Sequence, residues 1–183
     1  MCLHPNNRLT IGKLREAVIS LRKQDFEAQE ILLASCKIGI LAQHSETYLP
    51  SLTTLLQFPA HPPEIHGWYS LYLLFLLEDP VEFYTFTTAH PVNKSYLFLA
   101  NCLINNNYIT YTKLLETSCS RYDKALILSS PADTRLKNRL IEVINKCYYR
   151  VNVPWLNRLL GIKRIEKWPQ EDNMYIIKRT KAA

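Results

Sequence analysis

The chain has 183 residues, a formal net charge of +6, 48% apolar and 21% charged residues, a balance that excludes a disordered polypeptide and predicts one folded unit, or one plus a small appendage. Only 4 glycines are present, against roughly 13 at an average usage of about 7%, which disfavours many-hairpin β folds and glycine-rich phosphate-binding loops. Cys2, Cys36, Cys102, Cys119 and Cys147 are odd in number, widely spaced and form no C-x-x-C, so the reading is reduced thiols in a cytosolic and nuclear protein without a disulfide framework or zinc site.

In chain order the dominant period is helical. Leu14, Ala17, Val18 and Leu21 fall at i, i+3, i+4 and i+7, which predicts an amphipathic helix with one buried stripe. Gln24-Asp25 ends it, and a second helix is expected over 26–44. A third starts near Pro63 and carries Trp68, Leu71, Tyr72, Phe75 and Leu76 on one face. Leu73, Leu74 and Leu77 cover most of the rest, so this helix belongs at the centre. Its apolar run, Trp68 to Leu77, is about half of what a bilayer requires. Asp79-Pro80 is a helix opening, with Asp as N-cap and Pro in the first turn.

Helices are next expected over 96–105 and 108–116, and a long one over 132–150 with Leu136, Leu140, Ile144 and Tyr148 as its stripe. Two stretches share a pattern of helix, polar turn, aromatic, helix. One runs through Asp25-Phe26 and the other through Asn107-Tyr108. In a helical hairpin the Asp or Asn starts the second helix and the aromatic wedges between the pair. Stacked hairpins make a solenoid-like array.

After Arg150 the character changes. Val151-Asn152-Val153 is β-prone. Residues 154–160 read as a short helix opening on Pro154 and closing at Gly161. Residues 163–168 form a possible further helix, and 174–178 are again β-prone. Long helix, strand, helix, helix, strand is the order of a winged-helix module. The expected fold class is therefore mainly α: a helical-hairpin stack over 1–130 and a winged-helix module over 131–183.

No nucleotide-binding, nucleophile-elbow or zincin motif occurs. His61, Glu64 and His66 are the densest polar trio, but Pro62-Pro63 should hold His61 outside the helix that bears His66, and a polar helix-entry loop is the expectation. Cys119, between Ser118 and Ser120, has Arg121 nearby but no identifiable base, so an inert turn cysteine is expected. Asp79 and Glu82 read as helix-cap charges. No catalytic, cofactor or metal residue is assigned, and the expectation is a chain that is not an enzyme. Lys163, Arg164 and Lys167 form a basic face open to phosphates or acidic protein. Phe83-Tyr84-Thr85-Phe86 and the other aromatic-rich helices favour core and interface.

Several segments resemble the PCI-domain family, and within it the short PCI subunits of the proteasome lid. They are 31–36 with Ala42-Gln43 and 49–52; Leu71 to Leu77 followed by Glu82-Phe83; Tyr96-Leu97 with Asn105-Asn106-Asn107-Tyr108; Arg139 to Glu142 with Lys146-Cys147-Tyr148; and Lys167-Trp168 followed by Tyr175-Ile176. The order and spacing carry the resemblance over roughly residues 28 to 179. It implies a non-catalytic scaffold subunit of the proteasome regulatory-particle lid, without a cofactor, acting in ubiquitin-dependent protein degradation. Its partners would be other lid PCI subunits, and no membrane is involved. The implied partner-binding residues are Tyr175, Ile176, Ile177, Trp168 and Trp155, with the last strand adding to a neighbour's sheet. The competing reading is a PCI scaffold of the signalosome, of translation initiation factor three or of messenger-RNA export, with nucleic-acid contact.

Overall fold

The computed structural model describes residues 5–21, 25–161 and 168–177, with side chains from residue 12 onward. Its helices are α1 (Pro5–Ser20), α2 (Phe26–Ala42), α3 (Ser45–Leu55), α4 (Glu64–Leu71), a π-helical turn (Tyr72–Leu76), α5 (Pro80–Ala89), α6 (Lys94–Ile104), α7 (Tyr108–Ser118), α8 (Arg121–Leu128), α9 (Pro131–Cys147) and α10 (Val153–Leu160). Three short strands, β1 (Arg150–Asn152), β2 (Gln170–Glu171) and β3 (Met174–Ile176), complete the described chain. The protein is mainly α, and no helix among the described residues is long and apolar enough to cross a membrane.

Side-chain caps define most of the helix starts. Asp25 accepts from the Ala28 amide, Asp79 from Glu82, Asn93 from Ser95 and Asn107 from Thr110. Ser120 and Asp123 form a reciprocal capping box at α8, which satisfies two amides that the helix cannot pair itself. With few glycines available, non-glycine residues take left-handed positions at helix ends: Gln43 (φ 58°), Glu78 (φ 56°) and Asn106 (φ 51°). Such a residue costs roughly 1–2 kcal/mol. At Glu78 the side chain offsets part of this by an ion pair with Arg135 of α9.

Consecutive helices pack on each other, α1 on α2, α2 on α3 and α6 on α7, while α8 lies against α2, α4 and the π turn. The centre of this body is the apolar segment anticipated from the sequence. Trp68, Leu71, Leu73, Leu74 and Phe75 are all buried, and Leu77 donates its amide to the Tyr72 carbonyl five residues back. The wide turn lets one more side chain per turn face inward, which suits a helix with neighbours on several sides.

Three sequence expectations are corrected. In α1 only Val18 of the supposed stripe is buried; Leu14, Ala17 and Leu21 face solvent. Phe26 does not wedge between helices, since it is 71% exposed, whereas Tyr108 packs between the two apolar clusters. The long late helix ends at Cys147, so Tyr148 leaves the stripe and is half exposed. Periodicity picks out neither α3 nor α8; only the resemblance over 49–52 points to a helix at α3. In α3, Pro50 sits inside the helix and removes a backbone donor, which is why the pattern reads as broken there. Thr53 and Thr54 donate their hydroxyls to carbonyls of the same turn.

The sheet is antiparallel with order β1-β3-β2. Asp172 and Asn173, with φ of 46° and 61°, form the two-residue left-handed turn that joins β2 to β3, the geometry whose twist matches paired strands. A second apolar cluster lies under this sheet: Leu140 and Ile144 of α9, Val151, Val153, Leu156 and Leu160, Trp168 and Tyr175. Ala132 and Leu136 belong to the first cluster. The two cores therefore part inside α9, between Leu136 and Leu140.

Candidate partner-binding surface

The residues expected to bind partners divide into two groups. Tyr175 and Trp168 are buried and have their polar tips satisfied internally. Tyr175 donates its hydroxyl to Asn157 Oδ1 at 2.9 Å, and Trp168 donates its indole N–H to Asn145 Oδ1 at 3.2 Å. These aromatics are the core of the terminal module.

The main chain of β3 is also used up. Tyr175 lies opposite Val151 of β1 and Gln170 of β2. Ile176 donates its amide to the Pro169 carbonyl, and Ile177 donates to the Tyr149 carbonyl. Strand addition through Tyr175, Ile176 and Ile177 is thereby corrected: β3 is the central strand, with neighbours on both sides. The sequence reading missed β2, whose presence moves β3 from the edge to the middle. The Asp172-Asn173 pair was the available signal, being a turn-forming dipeptide directly before a β-prone run.

The outer edge falls to β1. The bonds Ile177 N–H to Tyr149 O and Val153 N–H to Asn173 O fix the alternation. In an antiparallel ladder residues alternate in facing the partner strand, so Val151 faces β3 while the amides of Arg150 and Asn152 face away. Both residues are exposed. Among the described residues no strand lies on that side. Around this edge stand large exposed side chains: Tyr148, Tyr149 and, in the first turn of α10, Trp155, which is 45% exposed.

Trp155 also lines a groove of about 440 Å³ between α7 and α10, with Ile109, Lys113, Glu116 and Arg158. Arg158 spans it, donating from Nε and Nη2 to the two carboxylate oxygens of Glu116 at 3.2 and 2.8 Å. The paired guanidinium holds the Glu116 carboxyl below its ordinary range. Asn152 fixes the start of the helix that bears Trp155, because its Oδ1 accepts the Trp155 backbone amide as the α10 N-cap. The basic face, Lys163, Arg164 and Lys167, lies outside the described residues.

The other sequence candidates are placed as follows. Asp79 caps α5, accepting from Glu82 at 2.9 Å. Cys119 is buried after α7, and burial, with the Asp123 carboxylate nearby, pushes its thiol up to about 11. That is the opposite of nucleophile activation. His61 lies in the loop before α4, outside the helix that bears His66, as Pro62-Pro63 leads one to expect, and from there its Nε2 meets His66 Nε2 at 2.8 Å. Glu64 is exposed, and the third member of the group is His90, stacked on His66. Among the described residues no group of three or more His, Cys, Asp or Glu is arranged to hold a metal ion.

No protein-family model matches the chain, and no curated protein matches it.

Proposed function

We propose that this protein is a PCI-type scaffold subunit of the proteasome lid, and that it joins its neighbours through the β1 edge of its terminal sheet. The observation that carries the reading is that edge: outward amides of Arg150 and Asn152 bordered by exposed Tyr148, Tyr149 and Trp155. An exposed strand edge is a template for pairing with another chain. Tyr and Trp are the side chains enriched where protein surfaces close on each other. The order α9, β1, α10, β2, β3, with the sheet order β1-β3-β2, supports a winged-helix reading of the terminal module, and α9 contributes to both apolar clusters. A shared helix gives the adaptor a fixed angle, which a scaffold within a large assembly requires.

The test is affinity purification of the tagged full-length chain, followed by mass spectrometry. Proteasome lid subunits should co-elute, and Tyr148→Asp combined with Trp155→Asp should remove them while leaving the thermal unfolding curve unchanged. Co-elution of signalosome, initiation-factor or messenger-RNA-export subunits instead would reassign the complex. Retention of lid subunits by the double variant would refute the β1 interface.

A further inference from the structure

Three imidazoles converge where the loop after α3 meets α4 and the end of α5. His61 lies in that loop, His66 in α4, and His90 is the C-cap of α5. All three are half-buried. His61 Nδ1 sits 2.9 Å from the Phe58 carbonyl oxygen. A carbonyl only accepts, so His61 Nδ1 carries the proton. In the neutral ring His61 Nε2 is then an acceptor. His66 Nε2, 2.8 Å away, is the donor. Hydrogen bonding alone therefore fixes both tautomers.

This arrangement limits how many protons the pair can hold. One added proton is tolerated, since one nitrogen of the facing pair still accepts. A second leaves two N–H groups pointing at each other across 2.8 Å, with two positive charges and no acceptor. His90 compounds the limit. Its ring stacks on His66 with centroids 4.6 Å apart and on Phe86 at 4.5 Å. Phe86 in turn packs on Tyr69 of α4. Among the described residues, the charges that act on His66 are those of His61 from the loop and His90 from α5, both cationic when protonated. Glu64 on α4 acts instead on Tyr96 of α6.

We propose that His61, His66 and His90 form an acid-sensitive latch: near neutral pH it fastens the 57–63 loop and the end of α5 to α4, and acidification releases the loop. The loop is also held by the Phe58 side chain, buried in the main core, and by the bond from Gln29 Nε2 of α2 to the Ala60 carbonyl at 2.8 Å, neither of which titrates. Release therefore means loss of the His61–His66 contact with the loop still held at Phe58 and Ala60. Burial, and then the two neighbouring imidazoles, lower the His66 pKa below its ordinary value. With the folded value depressed, the unfolded chain takes up the proton first as pH falls. The latch's contribution is then intact above about pH 6.5 and declines below it.

The experiment is a ring-carbon NMR titration of the full chain from about pH 8 to pH 5, across the range in which imidazoles change charge. It follows the His61–His66 ring contact and the amide protection of Phe58 and Ile65, which close the turns at the loop's two ends. Expected are a His66 midpoint below that of free histidine, loss of the ring contact in acid, and a loss of protection at both amides between the two ends of the range. In His66→Gln the side-chain amide takes up no proton and can donate to neutral His61 through Nε2 or, turned over, accept from protonated His61 through Oε1, so protection should no longer depend on pH. Three independent titrations at the free-histidine midpoint, or protection equal at both ends of the range, would overturn the latch. So would pH dependence that survives in His66→Gln. The wild-type titration decides alone should that variant not fold.

Discussion

Tyr111 donates its hydroxyl to the Asp133 carboxylate across 2.8 Å, with both residues buried. The bond joins α7 to the first turn of α9. Asp133 also pairs with Lys137 at 2.7 Å, and its amide donates to the Ser130 cap. Burial, and then Asp133, hold the Tyr111 phenol well above its ordinary range, so it remains a donor at every physiological pH. Tyr111→Phe should cost about 2 kcal/mol, the usual loss for a hydrogen bond to a charged group. Urea denaturation measures it, and a loss below about 0.5 kcal/mol would show that the bond adds nothing net.

Glycine packing makes a contrast between two helices. A Cβ on Gly39 would lie 2.9 Å from both the Cβ and the backbone nitrogen of Tyr48, at the tight contact of α2 with α3. On Gly67 its nearest neighbour would be the buried ring of Tyr96, at 2.7 Å. A side chain can shift by small χ changes, at a cost when buried, whereas a backbone cannot move without moving its helix. Gly39→Ala should therefore destabilise by about 1–3 kcal/mol net of improved helix propensity, and Gly67→Ala by less. Thermal melts of the two variants check the order.

Alkaline unfolding should be visible through tyrosine. Burial first, then Tyr72 and Cys36, push the Tyr48 phenol up from 10.0 to about 12. The unfolded chain releases its proton near pH 10 while the folded chain holds it. Stability is thus complete below about pH 10 and falls as pH rises toward 12. The tyrosinate absorbance contributed by the buried rings should appear together with the loss of circular dichroism in that window, over and above the absorbance of exposed rings such as Tyr148 and Tyr149. Tyrosine ionisation well below pH 10 without unfolding would contradict the burial of these rings.

Thiol labelling should separate the cysteines. Burial pushes Cys36 up to about 12 and Cys119 up to about 11, and Cys102 is also buried and raised. Cys147 is exposed at the end of α9. Brief alkylation of the native protein near pH 7.5 should modify Cys147 and spare Cys36, Cys102 and Cys119, because the thiolate is the reacting form. Peptide mass spectrometry reads the sites, and rapid labelling of Cys119 would restore it as a reactive thiol.

The helices with regular apolar spacing and a recognisable cap were legible in the sequence. Asp79-Pro80 and Asn107 are the cleanest cases, since a cap is a local chemical signal. The Pro154 to Gly161 segment was legible for the same reason, although the helix starts one residue earlier, at Val153. What failed depended on distant partners. Nothing within α1 indicates that Leu14 and Leu21 remain uncovered, because periodicity does not say whether a neighbour is present. The burial of Tyr175 depends on a two-residue strand with no periodicity of its own. The His61–His66 contact depends on the fold of the loop that Pro62-Pro63 hold outside α4, which carries no periodic signal, and His90 arrives from the end of another helix.

The continuity of α9 through both cores makes the terminal sheet behave like a hand fixed on a clock spindle. One residue inserted between Leu136 and Leu140 would swing the β1 edge by about 100° and push it outward by about 1.5 Å. Homologous chains that keep the same docking partner should therefore tolerate length changes in the Asp172-Asn173 turn and in the loop after α3, while the spacing from Leu136 to Leu140 stays constant.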